Sequence, residues 1–269
     1  MNRTRIFRDL HSEKNKLLIL PNVWDAGGAR IVESLGAKAI ATTSAGVAWS
    51  KGYPDGNLMP ARLLLHLAGE IVKAVKIPVS IDFEAGYADK PSAVVENLRP
   101  IVASGISGIN IEDGTDAPAV LAKKIEAIKK MASLEGVDIF VNARTDVYLQ
   151  DLVGDDEKVK ETLNRAATYQ DAGADGLFVP GLTGTSDIAK ITKGTGLPVN
   201  LMASPELPKA DGLAKLNVRR LSAGTAIAQI AYKHLARLAE NFLKEGDCGV
   251  LSEEAMGYSQ LQELFAEKK

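Results

Sequence analysis

The sequence predicts an α/β fold, namely a (β/α)8 TIM barrel, and three observations support this prediction. Eight short apolar segments recur along the chain, and longer segments between them carry apolar residues three and four positions apart. Glycines stand where several of the longer segments should end. The first loop, residues 22–25, lacks the GxGxxG spacing typical of an open nucleotide-binding sheet. Eight strand–helix units of this kind close into a barrel.

Each predicted strand is a short apolar run, too short to be a helix of ordinary length. The eight predicted strands are residues 17–20, 39–42, 79–81, 108–111, 139–143, 176–179, 199–202 and 220–221.

The segments with helical spacing can each lay one apolar face on the sheet. Gly36, Gly105, Gly173 and Gly212 fall where helices should stop, because glycine tolerates the positive φ that often ends a helix. The clearest predicted helices are residues 60–75, 93–104, 117–134 and 156–172.

The chain length predicts one domain spanning residues 1–269. A chain of 269 residues exceeds the usual size of a single domain but suits a barrel that closes as one unit. Beyond the last predicted strand, residues 226–242 and 252–265 are apolar at helical spacing, although a barrel needs only one closing helix there. We therefore expect residues 226–269 to form a C-terminal helical extension.

Charge and cysteine content exclude several classes of function. The 32 Lys and Arg residues nearly balance 34 Asp and Glu residues, and no basic run is long enough to follow a phosphate backbone, so nucleic acid is not expected as a partner. The single cysteine, Cys248, excludes an intrachain disulfide framework and a cysteine-rich metal site. No apolar run is long enough to cross a bilayer, so no membrane partner is expected. These features predict a soluble, cytoplasmic protein.

Polar and charged side chains follow the predicted strands. In a barrel the carboxyl ends of the strands meet at one rim, and that rim carries the chemistry. Carboxylates gathered from adjacent strands repel one another unless a cation lies among them, and oxygen ligands favour Mg²⁺ or Mn²⁺ over zinc. The sequence therefore predicts a divalent-metal site at this rim. The residues at the predicted strand ends are Asn22, Asp25, Thr43, Ser44, Asp82, Glu84, Glu112, Asp113, Asn142, Arg144, Asp146, Asn200 and Ser222.

Three segments at these strand ends carry a resemblance to a known family. They are Asp-Phe-Glu-Ala-Gly-Tyr at 82–87, Ile-Glu-Asp at 111–113 and Asn-Ala-Arg-Thr-Asp at 142–146. Together with residues 21–25, 43–48 and 52–55, they stand in the order found in the isocitrate lyase/phosphoenolpyruvate mutase superfamily. From about residue 17 to residue 232, the sequence resembles that superfamily, and most of all its short members that act on small α-oxo acids.

The resemblance implies a Mg²⁺ site, with Mn²⁺ as the alternative metal. Asp82 would be the direct carboxylate ligand, and three further acids would hold the metal's water molecules. These three acids are Asp55, Glu84 and Glu112.

The resemblance also implies a site for a small carboxylate substrate. Arg144 would bind one end of this substrate, because its forked donors suit a planar carboxylate, and it is the one basic side chain at a predicted strand end. The other groups expected around the substrate, directly or through the metal, are Thr43, Ser44, the backbone of Ala45 and Gly46, Asp82, Asn200 and Trp24.

Several of these residues have simpler interpretations. Asp82 and Glu84 are also typical of acids that cap the next helix, and Arg144 also suits a structural counter-ion. Trp24 is more typical of a packed wall than of a residue that stacks on substrate, and Tyr87 is explained as well by packing as by proton donation. The three histidines fall on predicted helices, so no histidine is expected to act as the base.

One departure from the family's pattern narrows the reaction. Members that cleave isocitrate or methylisocitrate carry a Lys-Lys-Cys-Gly-His loop after strand four, whereas residues 114–118 here are Gly-Thr-Asp-Ala-Pro. An isocitrate lyase is therefore disfavoured. The resemblance then implies a carbon–carbon lyase that acts on a small α-oxo acid or 2-hydroxy carboxylic acid through a metal-stabilised enolate. Its expected catalytic residues are Glu112, Arg144 and Tyr87, with either Glu112 or a metal-bound water moving the proton.

Two other functions stay open at this point. A phosphonopyruvate hydrolase or phosphoenolpyruvate mutase uses the same platform to break a P–C bond, and a non-catalytic α-oxo-acid binding protein needs no turnover. A Schiff-base aldolase is disfavoured, because no predicted strand ends in lysine. In the resembling family the C-terminal helices exchange between subunits, so a homodimer or homotetramer is expected.

Overall fold

The computed structural model describes residues 2–13, 16–246, 248–252 and 255–266. One sheet of parallel strands runs through them, and helices connect successive strands, which confirms the predicted (β/α)8 TIM barrel. The strands are β1 (Leu18–Leu20), β2 (Asn22–Val23), β3 (Ile40–Thr42), β4 (Val79–Asp82), β5 (Gly108–Glu112), β6 (Phe140–Arg144), β7 (Gly176–Phe178), β8 (Val199–Met202) and β9 (Val218–Ser222).

Strands β1 and β2 are two halves of the first barrel strand. Pro21 separates them, and proline has no N–H to donate to a neighbouring strand. The first half pairs with β9 and the second half pairs with β3, so the sheet order is β1-β9-β8-β7-β6-β5-β4-β3-β2. The nine segments therefore make an eight-stranded barrel whose first strand joins both ends of the sheet.

The helices cover the outside of this barrel, and within the described ranges none is both long and apolar enough to cross a membrane. Gly36, Gly105 and Gly173 have positive φ and follow α2, α5 and α7, as predicted. The prediction for Gly212 was wrong, because this glycine lies inside α9 and Asn217 has the positive φ after that helix. The helices are α1 (Arg3–Ser12), α2 (Ala26–Ser34), α3 (Ser44–Ser50), α4 (Ala61–Ala74), α5 (Pro91–Ala103), α6 (Pro118–Glu135), α7 (Lys158–Asp171), α8 (Thr185–Gly194), α9 (Ala210–Lys215), α10 (Ala226–Glu245) and α11 (Tyr258–Phe265).

Helix α1 packs at the end of the barrel opposite the strands' carboxyl ends. Its Phe7 is fully buried and contacts Phe140 edge-to-face, with ring centroids 5.4 Å apart. Both rings belong to a small apolar cluster that also contains Leu18, Leu20, Ala41 of β3 and Ala39 just before that strand. No role for α1 was apparent from the sequence, and in the structure this helix fills the end of the barrel.

The C-terminal helices are present, but they pack loosely. In α10, Ala228 is the buried residue within the described part of the helix, while Ile230 and Leu235 are 57% and 61% exposed. Helix α11 contacts α2 and begins at residue 258, later than the predicted 252, since a short 3-10 turn ends near residue 252. The predicted extension ran to residue 269, and residues 247, 253–254 and 267–269 lie outside the described ranges.

Candidate metal and substrate site

Three charged side chains meet at the carboxyl ends of adjacent strands. Asp82 ends β4, Glu112 ends β5 and Arg144 ends β6, and Glu112 is the register partner of Arg144. Because neighbouring parallel strands end on the same rim, this register places Glu112 beside Arg144, and the charge of Arg144 also acts on Asp82. The strand-end pattern predicted these three residues, and the structure brings them to adjacent strand ends, while their roles in a site stay predictions.

Asp82 is held by β3 and by the loop that follows this strand. Its Oδ2 accepts a hydrogen bond from the Ser44 N–H at 3.1 Å, and its own N–H donates to Thr42 Oγ1 at 2.8 Å. Its Oδ1 is buried and has no hydrogen-bond partner. Burial raises the pKa of the Asp82 carboxyl, while the charge of Arg144 opposes this shift. A buried carboxylate oxygen without a partner is unfavourable in itself, so Oδ1 marks a place suited to a cation.

The loop that holds Asp82 is closely packed around Gly46. A Cβ at this position would lie 2.7 Å from Thr43 Cγ2 and 3.1 Å from Trp24 Cβ, so no larger residue fits without movement. Ala45 and Gly46 are buried in the first turn of α3, and Trp24 is half-buried against the core. The Ser44 N–H is already bonded to Asp82. The expected contacts of this loop with a substrate carboxylate stay predictions.

Arg144 lies between two carboxylates. Its Nε and Nη2 donate to the two oxygens of Asp146 at 2.6 and 3.0 Å, and its Nη1 lies 2.8 Å from Glu112 Oε2. Its guanidinium also lies 5.9 Å from the centre of the Phe178 ring. Burial raises the pKa of the Glu112 carboxyl to about 8, although Arg144 opposes the shift. The forked edge that was expected to receive substrate is thus bonded to Asp146, and Glu112 can keep a proton near neutral pH.

A buried network behind the rim fixes Asp146, and sequence reasoning gave it no role. Asp113 Oδ1 accepts from the Asp146 N–H at 2.9 Å, and its Oδ2 accepts from Arg165 Nη1 at 2.8 Å and from the Tyr169 hydroxyl at 2.5 Å. Arg165 and Tyr169 are four residues apart on α7, so they share one face of that helix. The sequence signal for this network was the polar pair Arg165 and Tyr169, four residues apart on a helix that was expected to pack against the sheet.

Glu84 and Tyr87 bond to each other and to the segment that carries Asp55. Glu84 Oε1 accepts from the Tyr87 hydroxyl, and Glu84 Oε2 accepts from the Asn57 N–H. Glu84, Tyr87 and Asn57 all have positive φ, which is uncommon for residues with side chains and marks a constrained loop. Burial and the Glu84 charge raise the pKa of Tyr87 well above its ordinary value, so its hydroxyl keeps its proton. Asp55 is exposed beside this contact.

Asn200 lies inside the barrel, in a network of amides below the rim. Its Nδ2 donates to the Leu201 carbonyl at 2.7 Å and to Ser222 Oγ at 3.1 Å, and its Oδ1 accepts from Asn142 Nδ2 at 3.1 Å. Asn142 also donates to Asn110 Oδ1 at 2.9 Å. In this arrangement the described contacts of Asn200 are all with other parts of the barrel, so a contact with substrate stays a prediction.

The residues of the rim fit a Mg²⁺ ion held mainly through water. Among the described residues, no three Asp, Glu, His or Cys side chains converge closely enough to form a direct coordination sphere. Mg²⁺ commonly keeps several waters and uses one or two carboxylates, so the partnerless Asp82 Oδ1 suffices as a direct ligand. Besides burial, the negative charge of Asp55 raises the pKa of both Asp82 and Glu84, and the charge of Asp82 raises that of Glu84, so further acids lie near Asp82.

Comparison with known sequences identifies relatives over most of the chain. The family model described as phosphoenolpyruvate phosphomutase matches residues 7–243. An uncharacterized protein of Mycobacterium tuberculosis H37Rv is 38% identical over 223 residues, covering 81% of each chain. A 2,3-dimethylmalate lyase of Eubacterium barkeri is 27% identical and covers 72% of this chain and 68% of its own. An oxaloacetate decarboxylase of Pseudomonas savastanoi is 27% identical, with 98% and 91% covered.

Solved structures agree with this assignment. A provisionally named phosphonomutase from Burkholderia cenocepacia J2315 is 40% identical, with a TM-score of 0.84 over 89% of this chain and 100% of its own. A provisionally named lyase/mutase from the same organism is 33% identical, with a TM-score of 0.89 over 99% and 96%. A phosphonopyruvate hydrolase in complex with oxalate and Mg²⁺, 20% identical, shares the fold with a TM-score of 0.85 over 98% and 95%. The chain therefore belongs to the phosphoenolpyruvate phosphomutase family, within the isocitrate lyase/phosphoenolpyruvate mutase superfamily.

Proposed function

We propose that the chain is a Mg²⁺-dependent carbon–carbon lyase that acts on a small α-oxo acid or 2-hydroxy carboxylic acid and stabilises an enolate. The observation that carries the proposal is Asp82, whose buried Oδ1 lacks a partner on a rim shared with the Glu112–Arg144 pair. Two named relatives, a 2,3-dimethylmalate lyase and an oxaloacetate decarboxylase, support this class of reaction. The metal, when bound, supplies Lewis-acid stabilisation of negative charge on the substrate oxygens.

Glu112 is the group best suited to move a proton. Burial raises the pKa of its carboxyl to about 8, so the carboxyl is protonated in much of the protein at neutral pH. Arg144 pairs with Glu112 Oε2, which leaves Oε1 as the oxygen from which a proton can pass to the carbon that loses its bond. Arg144 in turn is fixed by Asp146, so it orients Glu112 and adds positive charge to a rim that binds an anion.

The short loop after β5 supports a small substrate. Only residues 113–117 separate β5 from α6, and this loop contains no cysteine. The proton donor expected in the isocitrate-cleaving members therefore has no counterpart at this position. This supports a lyase of a smaller acid over an isocitrate lyase.

A P–C bond enzyme is the second candidate. The observation that favours it is the 40% identity to a provisionally named phosphonomutase, which exceeds the identity to either named carbon–carbon enzyme. Both reactions leave an enolate, so the residues of the rim serve either one. The bond that breaks must therefore be identified from the products.

The test is a product assay with Mg²⁺-loaded protein. We would supply oxaloacetate, 2,3-dimethylmalate, 2-methylisocitrate and phosphonopyruvate separately, and measure oxo-acid products and phosphate. The Asp82→Ala variant is the control for reaction promoted by Mg²⁺ in solution. Cleavage of an organic acid without phosphate release from phosphonopyruvate would support the lyase. Phosphate release, or detection of phosphoenolpyruvate formed as an isomer of phosphonopyruvate, would support the P–C enzyme, and binding without any product would support a non-catalytic binding protein.

The partners we propose are a small carboxylate substrate and other copies of this chain, in the cytoplasm. The nearly balanced charge and the single cysteine, which is exposed, support this proposal. Exposed apolar residues on α10 support self-association.

A further inference from the structure

A completely buried arginine crosses the interior of the barrel below the rim. Arg220 on β9 has no exposed surface, and its Nη2 lies 3.3 Å from Asn110 Oδ1 on β5. Strands β9 and β5 are not neighbours in the sheet, so this side chain spans the barrel. Its Nε and Nη1 are buried without a hydrogen-bond partner.

Arg220 differs from the other buried arginines because no carboxylate pairs with it within the described ranges. Arg144 lies between Glu112 and Asp146, and Arg165 pairs with Asp113. A buried charge without a partner is strongly unfavourable, so proteins seldom keep one that only packs. Burial lowers the pKa of the Arg220 guanidinium to about 9, so it remains charged at neutral pH.

The end of the barrel that α1 fills adds no negative charge beside Arg220. The guanidinium lies 6.0 Å from the centre of the Phe7 ring. His11 bonds to the Phe7 carbonyl through Nδ1, and its Nε2 is buried without a partner. Burial and the charge of Arg220 lower the pKa of His11 to about 3, so this histidine is neutral. The positive charge is therefore not cancelled from below.

The rim lies directly above Arg220. Asn110, which Arg220 contacts, is the register partner of Asp82 and precedes Glu112 by two residues on β5. Side chains two residues apart on a strand point to the same face, one layer roughly 7 Å above the other. The negative charge of Asp82 also raises the pKa of Arg220, against the effect of burial.

We propose that Arg220 is a positioning residue whose buried charge draws an anionic substrate to the rim and opposes the binding of a metal ion alone. The proposal rests on the proposed function, because it assumes that the rim binds a divalent cation and a carboxylate. The expected effect of this charge is electrostatic, so its removal should change the affinities for the anion and for the cation in opposite directions. Removing the charge weakens binding of an anion and strengthens binding of a cation, whereas a purely structural role would weaken both.

The test is calorimetry with Mg²⁺ alone and then with oxalate added to Mg²⁺-loaded protein. Arg220→Met replaces the charged side chain by an uncharged, apolar one, and Arg220→Lys keeps the charge. We expect Arg220→Met to raise the Kd for oxalate at least roughly fivefold and to lower the Kd for Mg²⁺ at least roughly twofold. Arg220→Lys should restore both values toward those of the parent. Arg219→Met is the matched control, since Arg219 is the neighbouring residue on β9 and bonds instead to Asn217.

Asn110→Asp is the second variant, and it decides the matter if Arg220→Met does not fold. It places a carboxylate where Asn110 now contacts Arg220, so it neutralises the guanidinium without leaving a cavity. It should change both Kd values in the same directions as Arg220→Met. Unchanged Kd values in a folded variant, or equal weakening of both ligands, would overturn the proposal. If the parent binds Mg²⁺ but not oxalate, the proposed function loses its support while the Mg²⁺ measurement still decides the role of Arg220.

Discussion

At the scale of single residues, the carboxylates of the rim differ in how completely other groups of the protein pair with them. Asp146 is bonded to Arg144, Glu112 shares that arginine, and Glu84 is bonded to Tyr87 and Asn57. Asp82 alone among these acids keeps a buried oxygen without a partner. This difference in partners is the basis for the proposal that Asp82 binds the metal and Glu112 moves the proton.

Removing the Asp82 carboxylate should abolish metal binding without unfolding the barrel. Asp82→Ala should lose measurable Mg²⁺ affinity in calorimetry and all turnover, because the other acids of the rim are bonded to protein groups or lie further out. Its thermal denaturation without metal should remain cooperative and close to that of the parent, since a rim carboxylate adds little to the core. Full activity of the parent in excess EDTA would show that no metal is required.

Glu112 should make the stability of the metal-free protein depend on pH. Its folded pKa, about 8, lies above the ordinary value of 4.5 for a glutamate, so the protonated form is favoured by folding. The stabilisation that Glu112 provides is fully present below pH 4.5 and is lost as the pH rises through about 8. We therefore expect the free energy of unfolding to fall between these pH values in EDTA, and to fall less in Glu112→Gln. Denaturant titrations at several pH values measure this free energy of unfolding. The same pH dependence in both proteins would show that the Glu112 pKa is not raised.

Arg144→Lys should impair catalysis more than metal binding. Lysine keeps the charge but cannot bond both oxygens of Asp146 while reaching Glu112, so both carboxylates lose their orientation. We expect kcat/KM to fall at least roughly tenfold, with Mg²⁺ affinity largely retained. Arg99→Lys is the matched control, since Arg99 pairs with Glu135 on the protein surface. Unchanged kcat/KM in Arg144→Lys would assign Arg144 a structural role.

At the scale of elements, the barrel interior is divided between an apolar layer below and a polar layer above. Phe7 of α1 and Phe140 of β6 fill the lower layer, and the amides of Asn110, Asn142 and Asn200 form the upper one. Gly108 permits this packing, because a Cβ there would lie 2.9 Å from the Phe7 ring. The rim therefore lies above two packed layers of side chains, and α1 closes the opposite end of the barrel.

Phe7→Ala should test whether α1 is part of the folded barrel. Deleting a fully buried phenylalanine ring leaves a cavity, so we expect the free energy of unfolding to fall by about 3–5 kcal/mol. Leu134→Ala, at the exposed end of α6, should change it by less than about 0.5 kcal/mol. Equal effects of the two substitutions in urea denaturation would mean that α1 is not packed in solution.

The strand ends could be predicted from sequence, but the contacts between them could not. Apolar runs bounded by acids locate Asp82 and Glu112, since a barrel brings its strand ends to one rim whatever the side chains do there. The pairing of Arg144 with Asp146 depends on side-chain rotamers, and the contact of Arg220 with Asn110 depends on the barrel's closure. Gly212 was mistaken for a helix end because glycine also occurs within short helices, where close packing against Pro208 requires a small residue.

At the scale of the whole molecule, the barrel is closed by its strands but incompletely covered by its helices. Ile19 lies on β1 and is 50% exposed, an unusual position for an isoleucine on a barrel strand. It lines an apolar groove of about 750 Å³ together with Val32, Leu35 and Ile227. Helix α10 contacts β2 but leaves this groove open, and Ile230 and Leu235 of this helix are exposed. Both surfaces are of the kind that a second copy of the chain would cover.

We therefore expect the protein to be a homodimer or homotetramer in solution. Light scattering at micromolar concentration should give a mass of two or four times the 28.6 kDa of one chain. Ile230→Asp on α10 places a charge in the exposed apolar face, so it should shift the protein toward single chains. Leu134→Asp is the matched control, because Leu134 is 78% exposed at the end of α6, and it should leave the mass unchanged. A parent mass equal to one chain would contradict self-association, and an unchanged mass for Ile230→Asp would exclude α10 as the interface.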